Sequence, residues 1–273
     1  MHQGWLCWFW SYSVFLFSVA ASASPQGPAP LVPEKSFLLH KKAMNISYNP
    51  AHKQADWAFY SLGPKELEDC YDRGSNFRPD PLVPSEQSAQ LSDYAGSHYD
   101  RGHLIPAGDN KWNDEAMSQS FLLSNISPQP PAFNRGIWSR LELLVRAWAM
   151  KYDGIWVTTG PLLDASLNSI GANKVSVPKF FYKVIVTSRA GHRNGIALLL
   201  PTNASAPLAT YAESIQRLEA ETGLDFLKGL DLAEEKSIEE NFNPQAWDFN
   251  AKFQYRPCQS KPGALNFFAP NHQ

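Results

Sequence analysis

The run Tyr99-Asp100-Arg101-Gly102-His103-Leu104-Ile105-Pro106-Ala107-Gly108-Asp109 places a carboxylate, a guanidinium and an imidazole within four positions, with a glycine between the last two. Arginine carries a fixed fork of donors that matches phosphate oxygens. Histidine exchanges a proton near neutral pH. The intervening glycine lets backbone or substrate come close. This is a side-chain set suited to attack on a phosphodiester, but four residues decide nothing alone.

Thirty-one positions after His103 comes Asn134, followed by Glu142 and Arg146. The segment from about Asn134 to Lys151 is predicted helical. Its apolar residues Ile137, Trp138, Leu141, Leu144, Val145 and Trp148 recur at three- and four-residue steps, and Asp153-Gly154 stops it. Glu142 and Arg146 then stand one turn apart on a shared face, with Asn134 near the positive N-terminal end.

From Tyr99 to Trp148 the chain resembles the DNA/RNA non-specific endonucleases of the ββα-metal superfamily, the relatives of endonuclease G. The likeness rests on Asp100-Arg101-Gly102-His103, on Ser120-Phe121-Leu122-Leu123-Ser124-Asn125-Ile126 with Pro128-Gln129, and on Phe133-Asn134-Arg135-Gly136-Ile137-Trp138 with Leu141-Glu142. It continues through Thr159-Gly160-Pro161, Val177-Pro178-Lys179-Phe180-Phe181-Tyr182-Lys183-Val184, and Thr222-Gly223-Leu224-Asp225-Phe226, in order across most of residues 45–230.

The resemblance implies an α+β fold of ββα-metal type, a central and mainly antiparallel sheet flanked by helices. It implies DNA and RNA as substrates and hydrolysis that leaves 5′-phosphates. His103 matches the general base. Asn134 matches the single direct protein ligand of a hydrated magnesium ion, with manganese as the alternative metal. Glu142 matches the carboxylate that orients the ion's water, Arg101 and Arg146 match phosphate-contacting arginines, and Asn125 matches a second site asparagine. Magnesium suits this set, because it prefers oxygen and keeps several waters around one or two protein ligands. One departure stands out: the family's upstream phosphate arginine has no clean counterpart, and Arg73 and Arg78 flank the expected place, with Arg73 favoured.

Plainer roles exist for the same residues. Asn134 also reads as a helix N-cap, and Glu142 with Arg146 as an ordinary i,i+4 pair. Asp100 reads as structural, and Trp138 and Trp148 as core.

The 273 residues suffice for one well-buried domain plus a leader, with 44% hydrophobic and 18% charged content. A net charge of −2 argues against tight, static binding of nucleic acid through a globally basic surface, so any positive cleft must be local. No Lys, Arg, Asp or Glu precedes Glu34, and Trp5 to Ala23 is almost continuously apolar, ending in Ala21-Ser22-Ala23. Residues 1–23 therefore read as a signal peptide, 24–44 as a Pro-rich spacer, and 45–273 as a single domain with an irregular tail after about 235. A retained signal anchor is the alternative. Cleavage would leave a secreted or periplasmic protein with no stable membrane association. Cys7 would leave with the leader, and Cys70 and Cys258 remain to form a disulfide in an oxidising compartment or to stay as two separate thiols.

Strands are expected at Trp57–Tyr60, at Ile155–Thr159, and at Phe180–Thr187 paired with Gly195–Leu200. Helices are expected at Met117–Leu123 and Tyr211–Glu221, with a polar loop over Leu82–Gly96. Two other function classes share these residues: a catalytically idle nucleic-acid- or partner-binding module, and a small-molecule phosphodiesterase.

Overall fold

The computed structural model describes residues 27–189 and 193–259, so the leader lies outside it. No helix among the described residues is long and apolar enough to cross a membrane. The strands are β1 (Phe37–His40), β2 (Asn45–Asn49), β3 (Gln54–Leu62), β4 (Glu68–Asp69), β5 (Asp100–His103), β6 (Ile126–Gln129), β7 (Ile155–Pro161), β8 (Ser169–Ile170), β9 (Val175–Ser176), β10 (Phe180–Thr187), β11 (Gly195–Pro201), β12 (Ala212–Glu213) and β13 (Arg256–Pro257). The helices are α1 (Leu91–Tyr94), α2 (Asp114–Ser120), α3 (Pro131–Phe133), α4 (Ser139–Lys151), α5 (Ile215–Thr222) and α6 (Leu232–Glu240).

A seven-stranded antiparallel sheet runs in the order β1-β2-β3-β7-β10-β11-β12. Both of its faces are covered, which is why Phe181 to Val186 is apolar almost throughout rather than alternating. Ala58, Tyr60, Val157, Phe181 and Ile185 pack in one core with Leu141, Leu144, Val145 and Trp148 of α4. Trp57, Phe59, Tyr182, Val184 and Val186 pack in a second with Ile215 and Leu218 of α5. The α4 residues follow the predicted 3–4 spacing, and Asp153 in a left-handed conformation (φ 56°) turns the chain out of the helix as expected.

The site-bearing unit stands on the α4 side. β5 and β6 pair antiparallel, with Asp100 opposite Gln129 and His103 opposite Ile126. Gly102 allows a close approach here: a Cβ on it would lie 2.3 Å from the Gln129 carboxamide, and that side chain would have to shift. Pro130 and Pro131 follow β6 and open the helical stretch, since proline fits a first helical position.

Several expectations need correction. The helix over 134–151 is not continuous: residues Asn134–Trp138 form a π turn with Gly136 far from helical geometry (φ −102°, ψ −106°), and regular α-helix starts only at Ser139. Asn134 is therefore inside the helical stretch and is not its N-cap. α2 begins at Asp114 because the Asn113 side chain accepts the Ala116 N–H, so the predicted Met117 start is too late. Ser214 caps α5 in the same way, which leaves Tyr211 outside it. The loop over 82–96 contains α1, held by Asp93 accepting the Gln90 N–H at 2.7 Å.

The folded unit also begins before residue 45 and extends past 235. β1 falls within the stretch read as a spacer, Met44 is buried, and Lys41 pairs with Asp80 at 2.7 Å. α6 forms where irregular chain was expected, capped by Asp231. Beyond it, Trp247 is buried edge-on against Trp148, with ring centroids 4.9 Å apart. Cys70 and Cys258 form the disulfide.

Candidate active site

β5 delivers Arg101 and His103, the π turn delivers Asn134, and α4 delivers Glu142 and Arg146. All five line one cavity of about 590 Å³, together with Arg73. The other lining cations are Lys111 and Arg135, so five cationic side chains face a single carboxylate, Glu142. Three of the five are paired just outside the lining, Lys111 with Asp69, Arg135 with Asp100 and Arg146 with Asp109, so the positive charge offered to a polyanion comes mainly from Arg73 and Arg101. Arg73 and Arg101 make no ion pair among the described residues.

His103 is only 7% exposed, and its Nε2 is buried without a protein partner. A buried polar atom left in that state is costly unless a water or substrate meets it. The ring is held by Phe77, 5.4 Å away, and by Phe121 edge-on at 5.0 Å. Arg101 in turn lies over Phe77 at 4.3 Å. Burial, with the nearby charges of Arg73 and Arg101, pushes the imidazole down to about 3, so it is neutral across the physiological range. The chain around it is fixed as well. Trp138 Nε1 donates to the His103 carbonyl (3.3 Å), and Lys183 Nζ donates to the Leu104 carbonyl (3.0 Å).

Asn134 Nδ2 donates to Asp100 Oδ2 at 2.9 Å, while Arg135 grips both Asp100 oxygens at 2.8 and 2.6 Å. Asp100 thus has the structural role expected of it. Because a carboxylate can only accept, this network sets which end of the Asn134 amide is nitrogen and leaves its oxygen for another partner. A neutral oxygen donor lining the same cavity as Glu142, with room for water, fits a hard, hydrated divalent cation.

Glu142 and Arg146 meet as an i,i+4 pair at 3.9 Å. Burial raises the Glu142 carboxyl, and the charges of Arg146 and Lys183 oppose that shift. Arg146 is held mainly by Asp109, whose Oδ1 accepts its Nε at 2.5 Å and whose Oδ2 accepts the Tyr60 hydroxyl at 2.8 Å. Asp109→Ala leaves a buried guanidinium with only its longer contact to Glu142. Breaking such a pair costs about 3–5 kcal/mol, which denaturant unfolding of the variant is expected to report.

Two predicted substrate contacts lie elsewhere. Asn125 is fully buried, accepting the Ile105 N–H at 3.0 Å and donating to the Ile105 and Ser120 carbonyls at 2.9 Å each. All its side-chain polar atoms are spent on Ile105, in the loop that follows His103, and on Ser120 at the end of α2, so it braces the site without facing the cavity. Arg78 is spent too: its guanidinium donates to Asn76 O and to Ser118 O and Oγ, each at 3.0 Å. Arg73 alone of the two upstream arginines reaches the cavity. The residues that sequence reasoning left without a role are Phe77, Phe121, Lys111, Asp109, Lys183 and Tyr255.

The pattern of the DNA/RNA non-specific endonuclease family matches residues 30–233. The chain belongs to that family. Among relatives of this chain, mitochondrial nuclease EXOG of Xenopus laevis is 34% identical over 203 residues, covering 68% of this chain and 57% of EXOG. Nuclease C1 of Cunninghamella echinulata is 36% identical over 71% of this chain and 84% of its own length, and human mitochondrial endonuclease G is 32% identical over 73% and 72%. The chain thus spans little more than half the length of the EXOG proteins. Among solved structures, EndoG in the EndoG/EndoGI complex superposes with a TM-score of 0.67 at 30% identity, over 71% of this chain and 86% of that one. The ββα-metal fold expected from the sequence is the fold of this family member.

Proposed function

We infer that this chain is an exported, metal-dependent endonuclease that hydrolyses DNA and RNA phosphodiester bonds with little sequence preference. The observation that carries the reading is the convergence of a buried, unpartnered His103 Nε2 and an oriented Asn134 amide in one cationic cavity. The names of the relatives, nucleases and endonuclease G, support the same class.

His103, neutral and held by Phe77 and Phe121, takes the proton from the attacking water. Such positioned proton transfer contributes about a hundred- to ten-thousandfold in rate. Arg73, Arg101 and Arg146 hold the phosphate oxygens, and Glu142 orients water on the α4 side. Asn134 would hold magnesium, or manganese, which when bound supplies positive charge against the charge building on the phosphate and leaving oxygen. Cleavage on this reading leaves 5′-phosphates. Contacts made to phosphates carry no sequence information, which accounts for the low specificity. Export rests on the apolar leader and on Cys70–Cys258, a bridge that persists in oxidising compartments.

The purified chain is expected to degrade plasmid DNA and a long RNA with magnesium and to stop with excess chelator. Binding without turnover would identify an idle module instead. Hydrolysis of a dinucleotide as fast as of polymer would point to a small-molecule phosphodiesterase.

A further inference from the structure

The last described segment, residues 248–259, contributes Tyr255 to the cavity wall and lies beyond the family-matched residues 30–233. It is tied at both ends. Trp148 Nε1 on α4 donates to the Asp248 carbonyl at 2.9 Å. At the other end β13 pairs in parallel with β4, the Gln259 N–H donates to Glu68 Oε2 at 2.9 Å, and Cys258 is bonded to Cys70. Cys70 stands three residues before Arg73, and Tyr255 three before Cys258, so the bridge joins two walls of one cleft.

Between these anchors Tyr255 turns into the cavity. Its hydroxyl donates to the Gly108 carbonyl at 3.1 Å, and its ring centre is 5.0 Å from Lys111 Nζ and 5.9 Å from the Arg146 guanidinium carbon. The fit around Gly108 is close: a Cβ there would lie 2.4 Å from Arg146 Nη2 and 2.6 Å from the Tyr255 hydroxyl. One aromatic ring therefore stands beside two of the five cavity cations, each of which is also ion-paired, Lys111 with Asp69 and Arg146 with Asp109, and the ring face adds a second attraction on both.

We propose that Tyr255, held on a strap clamped by Cys70–Cys258, is a positioning residue that aims Lys111 and Arg146 at the phosphate backbone of a nucleic acid. The strap sets how tightly polymer is gripped and leaves proton transfer at His103 untouched. The inference rests on the nuclease reading above.

The test uses the full chain and a DNA duplex of defined length, at a temperature where every variant is folded by circular dichroism. Tyr255→Ala is expected to raise KM about fivefold to tenfold with kcat changed less than twofold. The dependence of log KM on log salt should become shallower by about one phosphate contact. Tyr255→Phe, which keeps the ring beside both cations, should hold KM within twofold of the parent. The double variant Cys70→Ser/Cys258→Ser should reproduce the KM rise, because the strap loses one anchor. Unchanged KM in Tyr255→Ala, an equal rise in Tyr255→Phe, or a fall in kcat at constant KM would each overturn the proposal. His103→Ala, run in parallel, separates the two readings: full activity there removes the nuclease site itself, whereas an inactive His103→Ala beside an unaltered Tyr255→Ala removes only the strap.

Discussion

His103→Ala is expected to lower kcat by about a hundred- to ten-thousandfold, the range that a positioned general base supplies, with little change in KM. The ring makes no hydrogen bond through Nε2, so its removal costs packing against Phe77 and Phe121 and leaves the phosphate-holding arginines in place. The pH profile adds a sharper test. An ordinary histidine loses its base function as pH falls through about 6.5. Here burial, then Arg73 and Arg101, push the imidazole down to about 3, so the acid limb of kcat/KM should lie well below 6.5. The sign for stability follows from the same shift. The folded state binds this proton less readily than the unfolded chain, so stability is complete above about pH 6.5 and is lost as pH falls from there toward 3. An acid limb at 6.5 or higher that persists in Glu142→Gln would mean that the base is a solvated group and not the buried ring, whereas one that Glu142→Gln removes belongs to that carboxyl, which burial raises.

The parts of this site that were legible in the sequence are those whose geometry is local. Arg101 and His103 lie two positions apart on one strand, and Glu142 and Arg146 lie one helical turn apart, so spacing alone brings each pair together. Asn134 was found by its place in the motif, but its setting was not. The π turn depends on Gly136 and the double proline, and 3.6-residue periodicity carries no signal for it. Asn125 shows the opposite failure. A polar residue at a motif position was read as facing substrate, yet its neighbours Leu122, Leu123 and Ile126 are all buried, and that apolar flank was the available sign that its amide turns inward. Arg78 turns away from the cavity because two of its three bonds go to Ser118, forty positions away on α2, which local spacing does not reveal. Tyr255 meets Gly108 across 147 positions, in a tail without periodicity, and nothing local could place it. α6 was within reach, since Asp231 is a capping residue and an acidic first turn follows it.

Asn134→Ala carries the second large effect. Loss of the amide oxygen is expected to reduce kcat at standard magnesium by about a hundredfold or more, the scale on which a single preorganised electrostatic group acts in a transition state. A separate readout does not depend on turnover. A ligand that binds only the folded state raises its melting temperature, so magnesium or manganese should raise that of the parent and have a smaller effect on the variant. Asp100 then tests the assignment of the amide. It fixes Asn134 by accepting Nδ2 at 2.9 Å and is itself held by Arg135 at 2.8 and 2.6 Å. Groups that orient a metal ligand in this way are worth about tenfold to a hundredfold in metal affinity or activity. Asp100→Ala should therefore weaken the melting shift and raise the magnesium needed for half-maximal rate while Asn134 stays in place. An equal thermal shift in the parent, Asn134→Ala and Asp100→Ala would show that the cation is held somewhere other than this amide.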